Sequence, residues 1–311
     1  MKILKAIITI FTVLLIASGC APSQDAATDN KPIIYTSIYP IQYAVERIAD
    51  DFVTAKTVYP PGVDAHTYEP TSKEMTNIAK GDAFFYLGAG MESFAESAAD
   101  ALATQDTKLV ALGENESLFH TETDHIEADH EDDGHQHGDH DPHIWLDPIR
   151  MIDMAEMIKD DLVELYPEQK EDFNQNFEAL KADLIDLNTQ YETVLQNKKD
   201  KEILVSHAAF GYWEERYGVT QIAINGLSSS SEPSQKELTK IVDQAKEHKL
   251  KYIIFEQNVS NHVSEIIQDH IGAKPLTIHN LSVLTEEDIE NDADYISLMH
   301  YNLDILDKAT N

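Results

Sequence analysis

The stretch HTETDHIEADHEDDGHQHGDHDPHIWLDP, residues 120–148, joins two kinds of sequence that predict different structures. Seven of the chain's 14 histidines lie between His120 and His143, together with nine Asp or Glu residues. The first part is almost free of apolar side chains, so residues 120–141 cannot form a packed core, and an acidic, His-rich mobile loop is predicted over residues 118–141. Residues 141–148 instead combine large apolar side chains with two prolines, and are predicted to be rigid.

The histidines of this stretch indicate metal binding. Neutral imidazole is a good ligand for zinc and other late transition metals, and nearby carboxylates add negative charge. A solvated acidic surface is the alternative, but the recurrence of a rare residue such as histidine favours metal contact. A mobile, low-affinity metal collector is therefore predicted at His120, His125, His130, His135, His137 and His140. His143 lies in the rigid part and is a candidate for a fixed metal ligand.

Outside this stretch, strand-like and helix-like segments alternate along the chain. A buried strand is predicted over residues 33–38, and the spacing of the apolar residues that follow predicts a helix. The second half repeats the alternation, with strand-like segments at 203–205 and 252–255. Such alternation is typical of parallel βαβ units, so we predict an α/β fold with one lobe over 32–166 and a second over 199–311.

A long uninterrupted segment separates the two halves. Apolar residues recur at spacings of four and three through residues 168–197, which predicts one helix about 45 Å long. The repeat is short for a coiled-coil seam, so we interpret residues 167–198 as a helix that links the lobes. Its apolar positions are Phe173, Phe177, Leu180, Leu184, Leu187, Tyr191 and Val194.

Residues 1–20 predict an export signal rather than part of the fold. A positively charged start precedes an apolar stretch that is too short for a stable membrane span. Cys20, the only cysteine, follows Ser-Gly and resembles the lipid-modified cysteine of bacterial lipoproteins, although Ala17 replaces the usual Leu. We expect a lipid anchor on the outer face of the cell membrane at Cys20, with residues 21–31 as a flexible tether. An ordinary signal peptide is the alternative.

The charge of the chain limits its partners. A formal net charge of −33 argues against nucleic acid and anionic lipid headgroups as ligands, and favours cations. The length of 311 residues is enough for two domains with buried cores.

Three histidines outside the polar part occupy related positions. His66 lies in a loop after a predicted strand, His207 directly follows another strand, and His143 ends the polar part of residues 120–148. Ligands of open parallel sheets bind beyond the carboxyl ends of the strands, so two facing lobes would bring these side chains together. Taken singly, each histidine is also consistent with a hydrogen-bonded structural role.

Several longer motifs resemble the zinc-binding solute-binding proteins of bacterial ABC importers. They occur in the same order through the mature chain: PPGVDAHTYEP at 60–70, DPHIWLDP at 141–148, the long helix, VSHAAFGYW at 205–213, and LTEED at 284–288 with YISLMHYNL at 295–303. The resemblance implies two Rossmann-like βα lobes joined by one long rigid helix, with the metal in the interlobe cleft. It implies His66, His143 and His207 as ligands. An acidic His-rich loop is typical of the zinc members.

The resemblance also indicates which metal is bound and where this chain departs from its relatives. Manganese-binding relatives typically have Glu at the position of His207, and imidazole favours zinc over that harder ion. Many relatives have a carboxylate ligand where this chain has Ser282. The fourth ligand is therefore expected to be water or His279. Asp64 and Glu69 are candidates for the side chains that orient His66.

These observations predict a receptor rather than an enzyme. We expect an extracytoplasmic protein that captures Zn²⁺ and delivers it to an ABC permease and its ATPase. A manganese receptor of the same type is one alternative, and a surface metal buffer without a transporter is another. A zinc-dependent hydrolase is the rival class, with Glu256 as its general base, but the chain has neither a His-Glu-x-x-His nor a Gly-x-Ser-x-Gly motif.

Overall fold

Two four-stranded parallel sheets form the framework of the computed structural model, which describes residues 31–119, 140–231, 233–258 and 262–310. The described residues from Pro32 onward pack as one compact unit. The predicted signal segment with Cys20 lies outside the described residues, as do the collector positions His120, His125, His130, His135 and His137. No helix in the described part of the chain is long and apolar enough to cross a membrane.

The N-terminal sheet has the strand order β2-β1-β3-β4, with all neighbours parallel. Its strands are β1 (Ile33–Thr36), β2 (Thr54–Thr57), β3 (Ala83–Tyr86) and β4 (Lys108–Ala111). Its helices are α1 (Tyr39–Ala49), α2 (Ser72–Ile78) and α3 (Ala95–Leu102). α2 begins at a capping box in which Thr71 and Glu74 satisfy each other's backbone N–H groups.

Two consecutive helices leave this lobe. α4 (Pro148–Leu165) starts with proline at its first position, and the Asp147 side chain accepts a hydrogen bond from the N–H of Ile149. After a 3₁₀ turn at Pro167–Gln169, α5 (Lys170–Leu195) continues for 26 residues, or about 39 Å.

The linking helix α5 is shorter than predicted but buries nearly the same stripe. Six of its seven predicted apolar positions are buried, whereas Val194 is half-buried and the neighbouring Leu195 is buried in its place. Near its start, Asn176 donates to the carbonyl of Ile48 in α1 (2.9 Å). Near its end, the Tyr191 hydroxyl donates to the carbonyl of Met299 (2.6 Å). α5 therefore contacts elements on both sides of the molecule.

The C-terminal sheet has the strand order β6-β5-β7-β8, again all parallel. Its strands are β5 (Glu202–His207), β6 (Thr220–Asn225), β7 (Tyr252–Glu256) and β8 (Lys274–Ile278). Its helices are α6 (Gly211–Tyr217), α7 (Gln235–Glu247), α8 (His262–Ile271), α9 (Glu286–Glu290) and α10 (Tyr295–Ala309). The two sheets and the long helix confirm the predicted fold class.

The ends of the predicted polar loop belong to the packed fold. Leu118 and Phe119 are buried, and the Arg150 guanidinium donates to the carbonyl of Leu118 (2.7 Å). At the other end, the ring of His140 stacks on Phe119 with centroids 5.0 Å apart. The prediction of a mobile loop over 118–141 is therefore wrong at its edges, where Leu118 and Phe119 are buried and His140 stacks on Phe119. The other domain boundaries remain predictions.

Burial along α5 predicts that neighbouring positions differ sharply in their effect on stability. Leu184 is fully buried, whereas Ile185 next to it is 47% exposed. Leu184→Ala should lower the free energy of unfolding by about 2–5 kcal/mol, because it leaves a cavity in the shared core. Ile185→Ala should change it by about 0.5 kcal/mol or less. Urea unfolding of both variants measures the difference, and equal effects would contradict the buried stripe.

Candidate metal centre

Three histidine rings meet where the two lobes face each other. One ligand nitrogen from each of His66, His143 and His207 lies within 4.8 Å of the others. The ring centroids are 4.9 to 5.3 Å apart, and the Nε2 atoms of His66 and His143 are separated by 3.2 Å. His143 and His207 are each only 1% exposed. The structure thus brings together the three histidines that the sequence predicted as a set.

Each ring comes from a different kind of element. His207 is the last residue of the central strand β5, so its side chain projects from the carboxyl edge of the second sheet. His66 lies in the loop after β2. His143 directly precedes the 3₁₀ turn Ile144–Leu146, whose three side chains are all buried. No local segment contains more than one of the three, so only the packing of the lobes assembles them.

Asp141 orients His143. Its Oδ1 accepts a hydrogen bond from the ring Nδ1 at 2.7 Å and another from the backbone N–H of His143 at 3.0 Å. With the proton on Nδ1, Nε2 keeps its lone pair directed toward the cluster. The motif Asp-Pro-His in the sequence could have indicated this contact, but no role was predicted for Asp141.

Glu256 plays the same role for His207. Glu256 is the last residue of β7, and its Oε1 lies 2.8 Å from Nδ1 of His207. The opposite nitrogen, Nε2, donates to the carbonyl of Leu227 at 2.7 Å. The sequence suggested Glu256 only as a general base, because pairing between the ends of β5 and β7 is not visible in the sequence.

Of the two acidic residues expected to orient His66, only Asp64 does so. Asp64 Oδ1 accepts from the backbone N–H of His66 at 3.0 Å, and its Oδ2 accepts from the Ser229 hydroxyl at 2.5 Å. Ser229 belongs to the second lobe, so this carboxylate also ties the His66 loop across the cleft. Glu69 instead accepts from Ser93 at 3.2 Å, and its expected role is wrong.

The electrostatics of the cluster differ from ring to ring. Burial lowers the pKa of His66 to about 3, and repulsion from His143 and His207 acts in the same direction. Burial also opposes protonation of His207, but the charge and hydrogen bond of Glu256 outweigh it and raise its pKa. The His66 ring is therefore neutral near pH 7 and available as a ligand, whereas a metal on Nε2 of His207 takes the place of a proton.

Both His279, the side chain expected as an alternative to water at the fourth position, and Ser282 are engaged elsewhere. His279 Nδ1 accepts from the backbone N–H of Leu281 at 3.0 Å, so its proton is on Nε2, which donates to Asp288 at 3.0 Å. Ser282 donates its hydroxyl to Oδ1 of Asn280 at 2.8 Å. The structure corrects the suggestion of His279, because both of its nitrogens are used and it lies outside the cluster.

His140 is the one collector histidine among the described residues. Its Nε2 lies 3.0 Å from a carboxylate oxygen of Glu116, and it is not part of the three-histidine cluster. The position of His140 between Glu116 and Phe119 fits a weak metal contact at the edge of the polar segment. This metal contact stays a prediction.

Two parallel-sheet lobes, a single long helix between them and a cluster of three histidines in the cleft define a two-lobed solute-binding protein. The chain belongs to the family described as zinc-uptake complex component A, periplasmic, whose model matches residues 34–309. The family match covers both lobes and all three histidines, and confirms the resemblance that the motifs indicated.

Individual relatives agree with this assignment. The zinc-binding lipoprotein AdcA of Streptococcus pneumoniae is 35% identical over 96% of the chain, and the chain spans 60% of that longer protein. The high-affinity zinc uptake system protein ZnuA of Bacillus subtilis is 33% identical, with 94% of the chain and 93% of the relative covered. The crystal structure of the Zn(II)-bound ZnuA-like domain of S. pneumoniae AdcA is 32% identical with a TM-score of 0.72. The structural match covers 90% of this chain and 99% of that domain.

The hydrogen bond from His279 to Asp288 leads to a prediction about the stability of the protein in acid. Burial raises the pKa of Asp288, but the hydrogen bonds from His279 and Thr285 outweigh it and lower the pKa to about 2. Because this value is below the ordinary 3.9 of an unfolded chain, the contribution of Asp288 to stability is present above about pH 4 and is lost as the pH falls toward 2.

We therefore expect the free energy of unfolding of wild type to exceed that of Asp288→Asn above pH 4, and the gap to narrow as the pH falls through this window. Urea titrations at several pH values measure the gap. His279→Ala is the matched control, because it removes one hydrogen-bond donor to Asp288. In a His279→Ala background, Asp288→Asn should therefore lower the free energy of unfolding by less than it does in wild type. A gap independent of pH would contradict the assigned hydrogen bonds.

Proposed function

We propose that this chain is an extracytoplasmic zinc receptor that binds Zn²⁺ through His66, His143 and His207 and delivers it to an ABC permease and its ATPase. The observation that carries the proposal is the convergence of three imidazole nitrogens within 4.8 Å at the interlobe cleft. Aspartate or glutamate side chains support two of the rings through Nδ1, an arrangement that fixes ring orientation at metal sites.

Nitrogen ligands favour zinc over harder ions. Manganese prefers oxygen ligands, whereas zinc, copper and nickel bind imidazole well. The similar proteins of S. pneumoniae and B. subtilis are both named for zinc. A manganese receptor is the weaker candidate, because the described residues supply no carboxylate to the three-histidine cluster.

Water is the proposed fourth ligand. Zinc in a tetrahedral site takes four ligands, and three protein ligands leave one position for water. His279 and Ser282, the side chains that could have filled it, are hydrogen-bonded to other groups.

The position of Glu256 argues against the hydrolase alternative. A general base must reach the water that it activates. Both carboxylate oxygens of Glu256 are already bound, one to His207 and the other to the amide of Asn280 at 2.6 Å. Glu256 therefore supports a ligand rather than acting on a substrate.

The cell-surface location and the collector loop are parts of the same proposal. Cys20 would carry a lipid anchor on the outer face of the membrane, in keeping with the name lipoprotein given to the pneumococcal relative. The histidines of the polar segment would raise the local zinc concentration near the fixed site. His140 is the one of them that lies among the described residues.

The central test is zinc titration of the purified chain from residue 21, with manganese as competitor. His143→Ala and His207→Ala should each weaken zinc binding by well over tenfold, since each removes a ligand from the ion. His279→Ala is the matched control and should leave zinc affinity within about threefold, because its ring is committed to Asp288 and Leu281. Tight zinc binding by His207→Ala, or equal competition by manganese at pH 7, would overturn the proposed site.

Excision of residues 121–138 separates the collector from the fixed site. The cut retains Leu118 and Phe119, which are buried, and His140, which stacks on Phe119. The shortened protein should lose weak zinc equivalents and keep one tight site, because the three cleft histidines remain. Calorimetric titration counts the equivalents. Loss of the tight site would show that the excised segment supplies an obligatory ligand.

A further inference from the structure

Glu256 is held between two partners, the ligand His207 on β5 and Asn280 in the segment that follows β8. Its side chain is fully buried, with Oε1 held by the His207 ring and Oε2 held by the side-chain amide of Asn280 at 2.6 Å. A buried carboxylate without both partners would lose the hydrogen bonds that fix its position. The orientation of the His207 ring thus depends on the residue that holds the far side of Glu256.

The amide of Asn280 can adopt only one orientation. Its Oδ1 accepts from the backbone N–H of Ser282 (3.1 Å), the Ser282 hydroxyl (2.8 Å) and the Gln257 amide (3.2 Å). Its Nδ2 donates to Glu256 and to Oδ1 of Asn258 (3.1 Å). A flipped amide would place its oxygen against two other oxygens, so the donor is fixed toward Glu256.

The backbone of Asn280 contacts the other side of the cleft. Its carbonyl accepts from the indole N–H of Trp145 at 2.8 Å, and the Trp145 ring lies 5.4 Å from the ring of His143. Asn280 therefore touches the supports of two ligands that come from different lobes. The next residue, Leu281, is buried and has φ of 60°, a conformation that non-glycine residues adopt only where the surroundings impose it.

Given the proposed zinc site, we propose that Asn280 is the positioning residue of the metal centre, holding Glu256 against His207 through its amide while its backbone anchors Trp145 beside His143. Asn280 does not touch the ion. It sets the affinity of the site through the geometry of His207, and the left-handed backbone at Leu281 keeps the amide in place.

The test compares Asn280→Ala with Asn302→Ala. Asn302 is another buried asparagine of the same region, which holds the backbone of His279 and has no hydrogen bond to a member of the cluster. Asn280→Ala should weaken zinc binding by about 10- to 100-fold, the usual effect of losing a partner behind a ligand. It should also change the visible absorption spectrum of the Co²⁺-loaded protein. Asn302→Ala should lower the melting temperature but leave zinc affinity within about threefold and the Co²⁺ spectrum unchanged.

A double-mutant cycle shows whether Asn280 acts through Glu256. In a Glu256→Gln background, Asn280→Ala should cost little further affinity, because the carboxylate that it positions is gone. If Asn280→Ala fails to fold, Asn280→Leu replaces it. Its side chain has a similar size but no donor for Glu256, and the same loss of affinity is expected.

Two outcomes overturn the inference while leaving the receptor function intact. One is zinc affinity in Asn280→Ala within threefold of a tightly binding wild type. The other is full additivity of Asn280→Ala and Glu256→Gln. Absence of zinc binding by wild type is a different result, which would overturn the proposed function itself.

Discussion

The contacts of Trp145 hold the two lobes in the arrangement on which the metal centre depends. The indole is fully buried, its N–H donates to the carbonyl of Asn280, and its own carbonyl accepts from the Tyr295 hydroxyl at 2.6 Å. Trp145 follows His143 by two residues, so the same short segment places a ligand and binds the opposite lobe. Because the segment is buried on all sides, the position of His143 is set by core packing rather than by loop geometry.

Charge compensation explains how the cluster persists within a strongly acidic chain. Three neighbouring rings would repel one another if all were protonated, and the low pKa of His66 keeps one of them neutral. Glu256 retains its charge because His207 and Asn280 outweigh the effect of burial and lower its pKa to about 2. The carboxylates thus stand behind the rings of His143 and His207 and not among the three rings, and an ion at Nε2 of His207 would replace the proton that this nitrogen donates to Leu227.

The long helix α5 is the rigid connection between the two lobes. α5 binds elements of both lobes and contains neither Gly nor Pro, so it fixes the spacing of the sheets that present the histidines. The described chain breaks off at Phe119 and resumes at His140, and the rings of these two residues stack.

The sequence by itself determined the alternating α/β lobes, the long helix and the three histidines, because periodicity, helix caps and the end of a strand are local properties. It did not determine which carboxylates support the rings. Glu256 meets His207 only through the pairing of β7 with β5, and Asp141 was hidden within an acidic run. Nor did it exclude His279, whose tautomer is fixed by Leu281 and Asp288. These contacts depend on side-chain distances and hydrogen-bond directions, which exist only once the tertiary structure has formed.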